Sequence, residues 1–313
     1  MRLRELVETY IAYKRSLGMR FRTDANILRA FCRTVGDIGV DDVTGSGICL
    51  HRGTGPVTAS WRCRASMLGG LYRYALARSF AIIFPLPTCE PKLPPPVAPY
   101  VYSVSELERM LTATDMLKTQ CSPLQAASMR TLLLLLYGSG MRISEALKLT
   151  LHDVDLLQQP VTVRETKFFK TRLAPIGPRL CKVLADYECR RRCLPLPDGE
   201  NSAFFASRTG RHWQVQSVRL NFRRLRRVAG LRREDSTGQQ PRIHDLRHTA
   251  AVHRLVYWYR ADLDVQRLLP QLATYLGHVH IRSTQRYLTM TADLLREANL
   301  RFEQYATPEI RHE

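Results

Sequence analysis

Seven prolines fall within the fifteen residues from Pro85 to Pro99: Pro85, Pro87, Pro91, Pro94, Pro95, Pro96 and Pro99. Each fixes its own φ, lacks an N–H, and pushes the residue before it out of the helical region. Neither a helix nor a central strand survives such a stretch, so the chain must cross it extended. A chain of 313 residues has material for about two domains of roughly 100–200 residues each. Residues 86–100 are therefore read as a linker between a domain of residues 1–85 and a larger one of residues 101–313.

Hydrophobic spacing gives each part its character. Leu3, Leu6, Val7, Tyr10 and Ile11 recur at helical intervals before Gly18. Ile27, Leu28, Phe31, Cys32 and Val35 repeat the pattern before Gly36, and Leu68, Leu71, Tyr72, Ala75 and Leu76 form a third stripe. The first domain is thus expected to be all-α. The second opens on a capping box, Ser103 with Glu106. A buried helix through Leu132–Tyr137 follows, then short strands at Val161–Val163 and Leu173–Ile176 flanking a basic turn. A further strand is expected at Ala203–Phe205, with helices after Val215 and His244 and a last one over residues 291–306. This is a mainly α domain with a small β-sheet, an α+β class.

The chain carries 47 Lys and Arg against 28 Asp and Glu, a net charge of +19. Such an excess points to a polyanionic partner, nucleic acid first. Arg219, Arg223, Arg226 and Arg227 lie on the polar face of one predicted helix, and Lys170 lies on the basic turn. With Arg190–Arg192 and the run from Arg223 to Arg233 they are candidate phosphate contacts. The longest aliphatic run, Leu132–Leu136, is far short of the ~20 residues of a membrane span. Arg2, Arg4, Glu5 and Glu8 stand where a secretory leader would be apolar, so a cytoplasmic, nucleoid-associated protein is expected. Eight cysteines include no CxxC, and Cys189 and Cys193 have no second pair, so reduced thiols and no metal site are expected.

Four segments hold residues suited to phosphate chemistry. In Gly140-Met-Arg142-Ile-Ser-Glu145 an arginine follows a Gly-Ser-Gly turn at a helix start. It can aim a planar fork at a phosphate or simply pair with Glu145. Lys167 and Lys170 sit on the hairpin tip, where a lysine can protonate a leaving oxygen. In His244-Asp-Leu-Arg247-His248, His244 and Arg247 share a helix face and suit an anion plus a proton, while His248, one residue on and turned away, reads as structural. In Leu276-Gly-His278 through Tyr287, Ser283 or Thr284 could cap a short helix carrying Tyr287. A tyrosine there is either packing or a nucleophile toward phosphorus, provided cations stabilise its phenolate.

The order Arg, Lys, His-x-x-Arg, His, Tyr resembles the tyrosine recombinase/phage integrase family across the second domain. Gly140-Met-Arg142-Ile-Ser-Glu145 resembles its first box, His244-Asp-Leu-Arg247 its His-x-x-Arg box, and Leu276-Gly-His278 with Tyr287 nine residues on its last box. Lys167 matches the hairpin lysine counted back from Pro175, although Thr166 and Phe168 replace the usual glycines. Leu288-Thr289 also departs from the small polar residue and His that follow the tyrosine in many members.

The resemblance implies a helical core-binding domain and a catalytic domain closing as a C-shaped clamp on double-stranded DNA. Tyr287 would be the nucleophile, forming a 3′-phosphotyrosyl link. Arg142, Arg247 and His278 would hold the phosphate, Lys167 would be the acid, and His244 would assist proton transfer. It implies no metal, ATP or other cofactor, and four protomers exchanging strands of two sites through a Holliday junction. The C-terminal helix 291–306 would dock in trans. Two other readings share these residues: a type IB topoisomerase, which relaxes DNA without exchange, and a DNA-binding protein on a recombinase scaffold that no longer cuts. RNA binding is a further reading of the charge alone.

Overall fold

The computed structural model describes residues 1–53, 57–87, 91–94, 97–118, 124–158, 160–164, 171–235, 238–289 and 294–300. The chain divides into two compact units, Met1–Pro96 and Val97–Glu313.

The first unit contains α1 (Leu3–Ser16), α2 (Arg22–Val35), α3 (Gly45–Arg52) and α4 (Ala59–Ala77). The stripes read from the sequence become its core: Leu3, Leu6 and Val7 of α1 meet Leu28 and Phe31 of α2 and Leu68, Leu71 and Tyr72 of α4. The starts of α3 and α4 are fixed by side-chain caps, with Thr44 accepting from the Gly47 N–H and Thr58 from the Trp61 N–H.

The second unit begins with α5 (Val104–Thr112), whose Ser103–Glu106 capping box is closed on both sides. The apolar α6 (Gln125–Ser139) runs through the middle, with Met129, Leu132, Leu133, Leu135 and Leu136 all buried. Around it lie the single turn α7 (Ile143–Ala146), the strands β1 (Pro160–Val163) and β2 (Arg172–Pro175), then α8 (Pro178–Arg192) and α9 (Val215–Val228). The chain continues through α10 (Asp245–Arg260), α11 (Val265–Leu276) and α12 (Arg282–Gln285), and residues 294–300 are helical. β1 and β2 form an antiparallel pair running from Pro160 opposite Pro175 to Val163 opposite Arg172. The described part is thus mostly helical with a two-stranded sheet. No described helix is long and apolar enough to cross a membrane.

The strand expected at Ala203–Phe205 is reduced to one bridge, between Thr150 and Ala203. Phe204 and Phe205 are both fully buried, packed with Tyr187. The Phe204 N–H donates to the Leu149 carbonyl and the Phe205 carbonyl accepts from the Trp213 N–H, so the segment bonds to two separate stretches rather than to one partner strand.

Candidate active site

Two helix ends converge on one arginine. α6 ends at Gly140 and α11 at Gly277, both left-handed, with φ +62° and +69°. Arg247, in the first turn of α10, donates from Nη1 to the Gly140 carbonyl at 2.7 Å and from Nη2 to the Leu276 carbonyl at 2.6 Å. The negative ends of two helices thereby hold a guanidinium that is 3% exposed. Burial first, then Arg142, pull its pKa down to about 10, so it stays cationic at neutral pH.

Arg142 stands just before α7. Its backbone N–H donates to Glu145 Oε2 at 3.1 Å and its Nη1 to Glu145 Oε1 at 2.7 Å. Its Nη2 reaches the Gly277 carbonyl at 3.4 Å. Glu145 also accepts from Arg172 Nη2 at 2.9 Å. Burial would raise its carboxyl, but Arg172 and Arg142 outweigh it and hold the pKa at about 2. The pairing of Arg142 with Glu145 and its place beside the site therefore coexist.

His278 follows the α11 cap. Its backbone N–H bonds back to Ala273 at 2.9 Å, which aims the ring, and Nδ1 meets Thr284 Oγ1 at 2.7 Å. Thr284 is thus not the cap the sequence suggests: it lies inside α12, fully buried, and orients the histidine. Tyr287 sits in the next turn, 2% exposed, with its ring 6.0 Å from that of His278. It packs in a core with Leu255, Leu272, Leu276 and Leu294. Burial raises its pKa, and Arg247 opposes that rise by charge and by a hydrogen bond.

In the sequence reading His248 turns away from the site. It faces the site instead, its ring 5.5 Å from Tyr287 and 5.0 Å from His244. The reason is helical: 244 and 248 are four apart, hence on one face, a signal available in the sequence. Burial, His244 and Arg247 push its pKa down to about 3, and burial with Arg247 and Arg142 push that of His278 to about 4. His244 is lowered too, by burial and then Arg247. All three imidazoles are neutral near pH 7.

So Arg142, His244, Arg247, His278 and Tyr287 share one site with His248, Glu145 and Arg172. Lys167 and Lys170 lie outside the described residues. No motif in the sequence marks Arg172, although the period of two places it on the inward face of β2 with buried Ala174. Among the described residues no three His, Cys, Asp or Glu side chains converge as metal ligands.

The proposed DNA contacts divide. Arg219, Arg223 and Arg227 are exposed on α9. Arg226 is half-buried and donates to the Pro241 carbonyl at 3.0 Å. Arg191 is corrected outright: it is fully buried, donating to the Ala203 and Pro197 carbonyls at 3.0 and 2.7 Å. Arg192 pairs with Glu188 and Asp198, and Arg233 with Asp235 and the Ala98 carbonyl. Arg191 and Arg226 strap the fold, because a run of arginines on a helix necessarily turns some of them inward, while Arg192 stays at the surface in its ion pairs.

Comparison with known proteins fits this arrangement. The model of the phage integrase family matches residues 102–293. The integrase/recombinase homologue y4rB of Sinorhizobium fredii is 36% identical over 307 residues, 96% of each chain. Tyrosine recombinase XerD of Mycobacterium tuberculosis is 31% identical over 267 residues, 83% of this chain and 81% of its own. Two solved structures share the fold at low identity. The Tn1549 transposon integrase in complex with transposon right end DNA has a TM-score of 0.69 at 16% identity, covering 98% of this chain and all of its own. A lambda integrase tetramer bound to a Holliday junction has a TM-score of 0.67 at 18% identity, covering 92% of this chain and 77% of its own. The chain belongs to the phage integrase family of tyrosine recombinases.

Proposed function

We propose that this protein is a site-specific DNA recombinase that cuts and rejoins strands through a covalent bond to Tyr287. The observation that carries the reading is the charge of the site around that tyrosine. Among the described residues, Arg142, Arg172 and Arg247 meet there with one carboxylate, Glu145. A site with unmatched positive charge suits a phosphodiester that gains negative charge in its transition state.

Arg247 spends two of its five N–H donors on carbonyls and Arg142 keeps donors beyond Glu145, so both can grip non-bridging oxygens. Thr284 Oγ1 fixes the Nδ1 edge of His278; in the tautomer where that hydroxyl donates, the proton stands on Nε2 and adds a hydrogen bond to the phosphate. The Tyr287 oxygen attacks phosphorus while the bond to the 5′ oxygen breaks. The phenolic proton passes to neutral His244, and Lys167 supplies one to the leaving 5′ oxygen. The bond energy is conserved in the phosphotyrosine, so neither ATP nor metal enters. A 5′-hydroxyl from the partner duplex reverses the step, and four protomers on two sites complete the exchange. Residues 1–85 would serve as the core-binding domain, and exposed Leu295 and Leu300 leave part of the C-terminal helix available for docking in trans.

The reading is tested by incubating the protein with two duplexes carrying DNA that flanks its own gene. Recombinant joints are the expected product. Relaxation of supercoiled DNA without any exchange would replace this reading with the topoisomerase one, and binding without cleavage would replace it with the non-cutting one.

A further inference from the structure

Among the described residues, five buried side-chain nitrogens lack a hydrogen-bond partner, and Nε and Nη1 of Arg172 are two of them. The side chain is 13% exposed. Its third nitrogen is committed, since Nη2 donates to Glu145 at 2.9 Å. The other Glu145 oxygen holds Arg142 at 2.7 Å, so one carboxylate ties two guanidiniums together. Arg172 also lies directly under the turn that carries His278: a Cβ added at Gly277 would come within 2.9 Å of its Cζ and Nη1. Arg191, which two carbonyls strap into the fold, leaves one nitrogen without a hydrogen-bond partner, and Arg172 leaves two. Arg172 leaves two donors unspent beside the place where an oxyanion would be gripped.

We propose that Arg172 is a positioning residue of the phosphate site, a third arginine that sets Arg142 through their shared Glu145 and props the Gly277–His278 turn, its charge directed at the bound oxyanion. The inference rests on the recombinase reading of the site and adds to it a residue outside the three recognised boxes.

The test uses the full chain, the variants Arg172→Met, Arg172→Lys and Tyr287→Phe, and two nicked duplexes that differ in carrying a phosphodiester or an uncharged methylphosphonate at the scissile position. Arg172→Met is expected to slow cleavage of the phosphodiester about 10²-fold, the size of losing one preorganised donor. Its duplex affinity should stay near wild type. The defect should shrink at least tenfold on the methylphosphonate, and Arg172→Lys should recover part of the rate. An equal loss on both substrates, or no loss, overturns the proposal. Orthovanadate supplies a readout independent of cutting: it should raise the melting temperature of Tyr287→Phe, and this rise should vanish when Arg172→Met is added. A wild type that never forms an adduct, but keeps an Arg172-dependent vanadate shift, defeats the recombinase reading and leaves the role of Arg172 standing. An adduct-forming wild type whose rate and vanadate shift ignore Arg172 does the reverse.

Discussion

Glu145→Gln removes one negative charge from between two guanidiniums while keeping nearly the same shape. The carboxylate is 7% exposed, and its pKa stands at about 2 against an ordinary 4.5. At about 1.4 kcal/mol per unit, that gap corresponds to about 3 kcal/mol of stabilisation at neutral pH. The general cost of removing one partner of a buried pair, about 3–5 kcal/mol, agrees. For a unit of about 200 residues, each kcal/mol moves the melting temperature by about 2–4 °C, so the variant should melt roughly 6–12 °C lower at pH 7. The sign with pH follows from a depressed folded-state pKa. The stabilisation is complete above about 4.5 and drains away as pH falls from there towards 2. Calorimetric melts of both proteins from pH 8 to pH 3 should show the gap narrowing below about pH 4.5. A gap under about 2 °C at pH 7, or one that stays constant down to pH 3, would refute this account of the ion-pair network.

Gly140→Ala strains a backbone at φ +62° and drives a Cβ within 2.5 Å of Leu276 Cδ2. It should cost about 2 kcal/mol and slow single-turnover cleavage without deleting any donor, because the Gly140 carbonyl seats Arg247. His244, His248 and His278 all have lowered pKa values, so the unfolded chain takes up protons that the fold refuses. Stability measured in urea should therefore fall as pH drops from about 6.5 towards 4, and His248→Phe should flatten that slope. Removing Arg219, Arg223 or Arg227 should weaken duplex binding at every sequence and reduce the salt slope by about one each, with an unchanged melting temperature. Arg226→Ala should lower the melting temperature as well, since its guanidinium holds Pro241.

What could be read in advance was local and periodic. The α1, α2 and α4 stripes, the Ser103 box and the two short strands of the hairpin each depend on neighbours a few residues apart, and such patterns survive into the fold. The order of Arg142, His244, Arg247, His278 and Tyr287 was equally visible, because motif spacing is itself a sequence property. What escaped depends on contacts across long stretches of chain. Glu145 meets Arg172 27 residues away, and Arg247 reaches back 107 residues to Gly140. No periodicity encodes those pairings. The arginine clusters misled for the opposite reason. Charge in a sequence suggests exposure, yet the stem of a long side chain can cross a core and its donors can close on carbonyls, as in Arg191. The aromatic pair Phe204–Phe205 carries β propensity but bonds to two separate stretches, at Leu149 and Trp213, instead of one partner strand.

The central claim is that Tyr287, buried among cations in this state, becomes the atom bonded to DNA. The most direct measurement traps the protein on a nicked duplex from its own flanking sequence, digests the adduct and locates the modified peptide by mass spectrometry. The account expects a 3′-phosphotyrosyl bond on Tyr287 and no adduct with Tyr287→Phe. An adduct on another residue, or one that persists in Tyr287→Phe, would contradict it.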